Sequence, residues 1–222
     1  ESFITAAVRC DVAGFDGVEL HSAHDYLLCE FLSAEFNDRT DDYGGSRAAR
    51  FRIVEEIISG IRRRCRPDFH VGVRLSPERF GLATADVMDA FERLVATGMV
   101  DLIDLSLWDV FKAAAGEEFA SRPLLELFTG LDRGAVRLAV AGHLYSGPDV
   151  QRALDRGADI VAIGRAAITN HDFPLLIQAN PTTAMRELPV ARETLAAEGL
   201  GPAFLDYMST WRGFVGASDV PT

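Results

Sequence analysis

Five short runs constrain this chain more than anything else in it: "GVEL" (17–20), "VGVRL" (71–75), "LIDLSL" (102–107), "LAVAG" (138–142) and "IVAIG" (160–164). Each is apolar and β-prone, and stretches with helical spacing lie between them. The segment 2–13 carries Phe3, Ile4, Ala7, Val8 and Val12 on one face and closes at Gly14. The segment 47–65 repeats this with Phe51, Val54, Ile57, Ile58 and Ile61, after a turn at Gly44-Gly45 and a Ser46 placed to cap it. Further helices are predicted over 84–98, capped by Thr84 and closed by Gly98, over 122–134, and over 147–158 with Pro148 near its start. The stretch from 32 to about 46 reads as irregular, and the chain beyond 165 as mostly helical with proline breaks. Strands alternating with helices predict a parallel α/β sheet, and continuous apolar strand runs predict strands covered by helices.

Every strand ends in polar or glycine-containing sequence: His21 and His24, Arg74 and Ser76, Ser106, Gly142 and His143, Gly164 and Arg165. Polar groups gathered at strand C-termini predict an active-site face, in either a (β/α)₈ barrel or a doubly wound sheet. No G-x-G-x-x-G follows the first strand, so a dinucleotide-type Rossmann unit is unsupported. The last two strands run into "AGHL" and "IGRAAI", Gly-containing loops each leading toward a helix. Barrels hold phosphate there with backbone N–H groups, and Arg165 would add a charged partner. The alternative is that these glycines are plain turns and Arg165 a surface cation. Five βα units cannot close an eight-stranded barrel. Either the chain is the C-terminal part of a longer protein, or three strands come from elsewhere.

The 222 residues are 48% hydrophobic and 25% charged, enough apolar material for one sizeable core. A net charge of −11 argues against nucleic-acid and anionic-membrane partners. No 18-residue apolar run and no leader-type segment occur. Cys10, Cys29 and Cys65 are widely spaced, which suits free thiols in a reducing, cytoplasmic setting and gives no iron–sulfur pattern.

His21 and His24 lie three residues apart past a strand end, where two imidazoles can donate hydrogen bonds to one oxygen. A metal pair is the competing reading, although Glu19, Asp25 and Glu30 lack diagnostic spacing for a third ligand. Tyr26 offers a phenol suited to general-acid work, or else a packing aromatic. Arg74 inside an apolar run needs an electron-rich partner, because an unpaired buried charge is costly. That partner is either a cofactor or an aspartate of the next strand, Asp101 or Asp104.

"AGFDGVELHSAHDYLLCEFLSAEFNDRTDDYGGSRAARFRIVEEII", "VGVRLSP", "AGHLYSGPDV" and "GADIVAIGRAAITNHD" together resemble the Old Yellow Enzyme family of FMN-dependent NADH:flavin oxidoreductases and ene-reductases. The likeness runs from about Ser2 to Asp172, and the H-x-x-H-x-Y cluster followed by "NDRTDDYGGS" is specific to it. The resemblance implies a (β/α)₈ TIM barrel whose fourth strand is the first one here, so that residues 1–222 are the C-terminal portion of one FMN-binding TIM-barrel domain, strands 4–8 plus C-terminal helices, without strands 1–3, with FMN as cofactor and NADH or NADPH as reductant. It implies that His21 and His24 hydrogen-bond the activating oxygen of a small-molecule substrate, and that Tyr26 protonates its α-carbon. It further implies that Arg74 contacts the flavin, and that Ala141, Gly142, His143, Gly164 and Arg165 form the phosphate loops. The expected activity is reduction of an activated C=C bond in an enone or quinone. The alternative is a non-catalytic half-barrel that binds FMN only with its N-terminal strands or an assembly partner. His143 departs from the family's usual Gly or Asn, and Ala166 and His171 stand at common proline positions. The loop 105–119 matches no family pattern, leaving Trp108 either to line the substrate pocket or to pack. An aldolase- or isomerase-type barrel is disfavoured, since Lys112 lies in a loop and no lysine sits at a strand end. Homo-oligomerisation is left open.

Overall fold

The computed structural model describes residues 1–119 and 122–216. Five parallel strands form one sheet: β1 (Gly17–Ser22), β2 (His70–Leu75), β3 (Leu102–Ser106), β4 (Arg137–Ala141) and β5 (Ile160–Ala162). They lie in sequence order, so each connection is a single crossover to the next strand, and β1 and β5 are the two edges. The crossovers carry α1 (Ser2–Val12) before β1, then α2 (Leu27–Leu32) and α3 (Arg47–Arg64), α4 (Thr84–Ala96), α5 (Leu124–Thr129) and α6 (Gly147–Asp155). This is five-eighths of a TIM barrel, as expected, with an open concave side.

The register explains how the sheet divides its two faces. His21 pairs with Arg74, Arg74 with Asp104, and Asp104 with Ala139. Paired residues share a face and successive residues alternate. Leu20, Val71, Val73, Leu75, Ile103, Leu105, Leu138 and Val140 therefore point outward, and all join the one large core under the helices. The concave face carries Glu19, His21, Gly72, Arg74, Leu102, Asp104, Ser106, Arg137, Ile160 and small alanines. The expectation of continuous apolar strands is corrected accordingly. The strands alternate, and the alternation is masked by Gly, Ala, Leu102 and Ile160 on the concave side.

Helix α3 behaves as its spacing predicts. Phe51, Val54, Ile57, Ile58 and Ile61 are buried, each contributing about 1.5–3 kcal/mol over exposure. The Ser46 side chain caps it by accepting the Ala49 N–H at 3.2 Å. Arg50 on the same helix is buried too, donating to the Leu32 carbonyl at 2.9 Å and to Asp86 at 2.5 Å. Thr84 is not the cap of α4, since the capping position is Ala83 and Thr84 is the first helical residue. The stretch read as irregular begins only after α2, a helix too short to show a period.

Beyond β5 the chain forms α7 (Arg165–Thr169), α8 (Phe173–Ala179), α9 (Arg192–Ala197) and α10 (Pro202–Ser209). It also forms a two-stranded parallel pair, β6 (Val190–Ala191) with β7 (Val215–Gly216), which the helical expectation missed. Val190, Leu195, Leu205, Met208 and Phe214 make a small second core, and Ile168 of α7 packs against it. Among the described residues no helix is long and apolar enough to cross a membrane.

Candidate active site

The loops following the strand C-termini surround one groove. Its first part is a cavity of about 200 Å³ reached by His24, Arg74, Phe80, Trp108 and Gly142. Its second, about 190 Å³, runs on past Gly142 to His143, Gly164 and Arg165. Trp108, Ala141 and Gly142 line both, and joined they reach the ~300 Å³ at which ligand sites begin.

The backbone around the groove is unusual. Six non-glycine residues among those described have positive φ: His24, Asp25, Arg79, Phe80, Trp108 and His143. All six belong to the loops at this end of the sheet. Such conformations persist only where surrounding structure enforces them, and they cluster at functional sites.

At one end, successive left-handed residues His24 and Asp25 (φ +59° and +64°) turn the chain sharply after β1. The His24 N–H donates to Ser76 Oγ, at the end of β2, at 3.0 Å, which fixes the turn. As a result the His21 ring centroid lies 5.1 Å from that of His24 and 5.1 Å from that of Tyr26. The three residues expected to act together are thus brought together. Burial lowers the basicity of both imidazoles, and the nearby Arg74 charge adds to the effect. They are neutral at pH 7, each with one N–H to donate. Tyr26 caps α2 without a side-chain cap bond and remains 63% exposed, so packing does not account for it. Among the described residues, no three metal-ligand atoms gather at His21 and His24. The one such group is His171, Asp172 and Glu198, far along the sequence.

Arg74 projects from the concave face beneath these rings. Its Nε donates to Ser106 Oγ at 2.8 Å and lies 3.3 Å from Asp104 Oδ2. Asp104 is therefore the aspartate partner, while Asp101 instead pairs with Arg62 at 2.6 Å. Burial raises the Asp104 pKa against the pull of Arg74, and its Oδ1 is buried without a partner. Among the described residues only Nε of Arg74 is engaged, and Arg74 lines the groove.

At the other end stand the two glycine loops. Ala141 ends β4, and its carbonyl accepts the Leu107 N–H at 2.9 Å, drawing the β3 loop alongside. Gly142 has φ +142°, and a Cβ there would lie 2.6 Å from the Trp108 carbonyl carbon, so no other residue fits. Among the described residues the N–H groups of Gly142, His143, Gly164 and Arg165 donate to no backbone acceptor. Space around Gly164 is open. Four unpaired donors beside a guanidinium match the acceptor oxygens of a phosphate, so the residues fit the flavin phosphate that the resemblance implies. Helix α7 has five residues, so backbone donors carry this fit more than a helix dipole. Arg165 is not a free cation: it donates to Tyr145 Oη at 2.6 Å and lies 5.7 Å from the Trp211 ring. Tyr145, not singled out in the sequence, also stacks on His143 with centroids 5.5 Å apart.

Comparison with known proteins agrees with this geometry. Residues 1–183 match the model of the NADH:flavin oxidoreductase / NADH oxidase family. The chain belongs to that family. A 12-oxophytodienoate reductase-like protein of Arabidopsis thaliana is 34% identical over 191 residues, 80% of this chain and 55% of its own length. An NADPH dehydrogenase of Bacillus pumilus is 36% identical, covering 78% of this chain and 52% of the relative. Morphinone reductase superposes with a TM-score of 0.66 at 28% identity, over 98% of this chain and 52% of that one. The chain thus spans about half the length of these relatives. Membership of the NADH:flavin oxidoreductase family bears out the Old Yellow Enzyme resemblance, and brings with it FMN as cofactor and NADH or NADPH as reductant.

Proposed function

We propose that the groove is the active site of an ene-reductase, which reduces the C=C bond of an enone- or quinone-type substrate. One observation carries the reading: the rings of His24 and Tyr26 each lie 5.1 Å from that of His21 at one end of a groove whose other end presents N–H donors unpaired among the described residues. Gly142, His143, Gly164 and Arg165 would hold the FMN phosphate, with Ala141 beside them and Arg74 toward the flavin's electron-rich edge. FMN, when bound, supplies the hydride. The neutral imidazoles of His21 and His24 each donate an N–H to the substrate carbonyl oxygen, which draws electron density from the alkene. The exposed Tyr26 hydroxyl gives its proton to the α-carbon, a step worth typically 10²–10⁴-fold. The free thiols Cys10, Cys29 and Cys65 suit a reducing cytoplasm.

The test is Tyr26→Phe in the full-length, FMN-loaded protein, followed by stopped-flow absorbance. Flavin reduction by NADPH should stay within about twofold, while reoxidation by cyclohexenone slows by roughly 10²-fold or more. An equal loss in both half-reactions would remove Tyr26 from the proton-donor role.

A further inference from the structure

We infer that Arg79 selects substrates carrying a carboxylate apart from the activating carbonyl. The inference rests on the ene-reductase reading and narrows its substrate class. Three cations, Arg74, Arg79 and Lys112, line the cavity beside His24, against one carboxylate, Glu78. This is a local excess of positive charge in a chain of net charge −11. Two of the three are committed to protein partners. Lys112 pairs with the buried Glu78, whose other oxygen accepts the Ala115 N–H at 2.8 Å, and Arg74 pairs with Asp104 at 3.3 Å. Arg79 has no ionic partner among the described residues.

The placement of Arg79 is enforced rather than loose. Arg79, Phe80 and Gly81 take φ of +71°, +52° and +66° in succession, in a turn closed by the Leu82 N–H on the Arg79 carbonyl at 2.8 Å. Ser33 Oγ donates to the Gly81 carbonyl at 2.9 Å and anchors the turn to the end of α2. The guanidinium lies 4.3 Å from the ring of Trp108, itself left-handed at φ +64° and pressed against Gly142. Two strained residues on separate loops therefore meet at the cavity, the guanidinium carbon over the indole ring. Stacking on an aromatic uses the face of a guanidinium and leaves its edge N–H fork free, and that fork matches a carboxylate. Phe80, next in the chain, has its ring 6.4 Å from that of His24, and His24, Arg79 and Phe80 line the same cavity.

The experiment compares a cyclohexenone bearing a carboxymethyl arm with its methyl ester, in full-length FMN-loaded protein. In Arg79→Gln, the acid-to-ester ratio of kcat/KM should fall on the order of 10- to 100-fold, the loss expected for hydrogen bonds to a charged group. Arg79→Lys should recover part of it, and the wild-type preference should shrink with added salt. An unchanged ratio overturns the assignment. So does a variant whose only defect is weaker NADPH binding in the flavin-reduction step, because the anion would then belong to the reductant's phosphates. Wild-type protein that reduces neither compound would overturn the ene-reductase reading itself, and this inference with it.

Discussion

Gly142 joins the sheet to the groove, and Gly142→Ala tests whether its lack of a side chain is required. A Cβ would sit 2.6 Å from the Trp108 carbonyl carbon, 2.8 Å from its oxygen and 2.9 Å from the Asp109 nitrogen, against ordinary contact at 3.4 Å and beyond. Backbone would have to retreat by about 0.8 Å, and it cannot swing aside as a side chain does. The Trp108 segment is also tied down on either side: Leu107 N–H donates to the Ala141 carbonyl at 2.9 Å, and Val110 N–H to that of Gly142 at 3.3 Å. Overpacking of this kind costs about 1–3 kcal/mol, and forcing alanine to φ +142°, outside the left-handed well, adds about 1–3 kcal/mol. At ~2–4 °C per kcal/mol for a chain of this size, thermal unfolding should fall by on the order of 10 °C. Gly98→Ala is a control for a positive φ without the clash, since Gly98 has φ +63° and a Cβ there would meet no atom within 4 Å. It should lose only the ~1–2 kcal/mol due to φ. FMN affinity, read by flavin fluorescence quenching, should drop in Gly142→Ala and not in Gly98→Ala. If Gly142→Ala melts no lower than Gly98→Ala and keeps its FMN, the contact with Trp108 is not a constraint and the reasoning fails.

Two further predictions concern charge. Arg50→Ala should cost about 3–5 kcal/mol, because it removes the buried partner of Asp86 and leaves the Leu32 carbonyl unpaired. Arg47→Ala removes an exposed partner of the same carboxylate and should cost below about 1 kcal/mol in urea unfolding; equal losses would refute the distinction. Near the second core, His171 and Arg186 hold Glu198 at a pKa of about 2, below the ordinary 4.5. A depressed carboxylate stabilises the fold above its unfolded value and loses that contribution as pH falls from about 4.5 toward 2. His171 is raised by the same pair, so its share is present below 6.5 and disappears as pH climbs through the raised value. Glu198→Gln should flatten the acid limb of stability against pH, and wild-type and variant curves running parallel below pH 5 would contradict this.

What the sequence disclosed depended on how local each signal was. His21, His24 and Tyr26 fall within six residues, so their convergence could be read directly from a strand end and a spacing. The helix α3 face could be read from its period, and Ser46 from its place before it. The pleat was harder to read: in "VGVRL" and "LAVAG", Gly and Ala look apolar, yet they occupy the concave side, where small size leaves room around Arg74 and Asp104. The contact of His24 with Ser76 spans 52 residues and that of Arg74 with Ser106 spans 32, both set by strand register that no single segment records. Tyr145 likewise resembles turn filling until the sheet brings it against Arg165. Least legible of all were the left-handed positions. Gly and Asn advertise positive φ, whereas Arg79, Phe80 and Trp108 have side chains that disfavour it. Their backbone is imposed by neighbouring loops, so local propensity points the wrong way there. That conflict between propensity and conformation falls along the groove, which is where a site held together by tertiary contacts should depart from local rules.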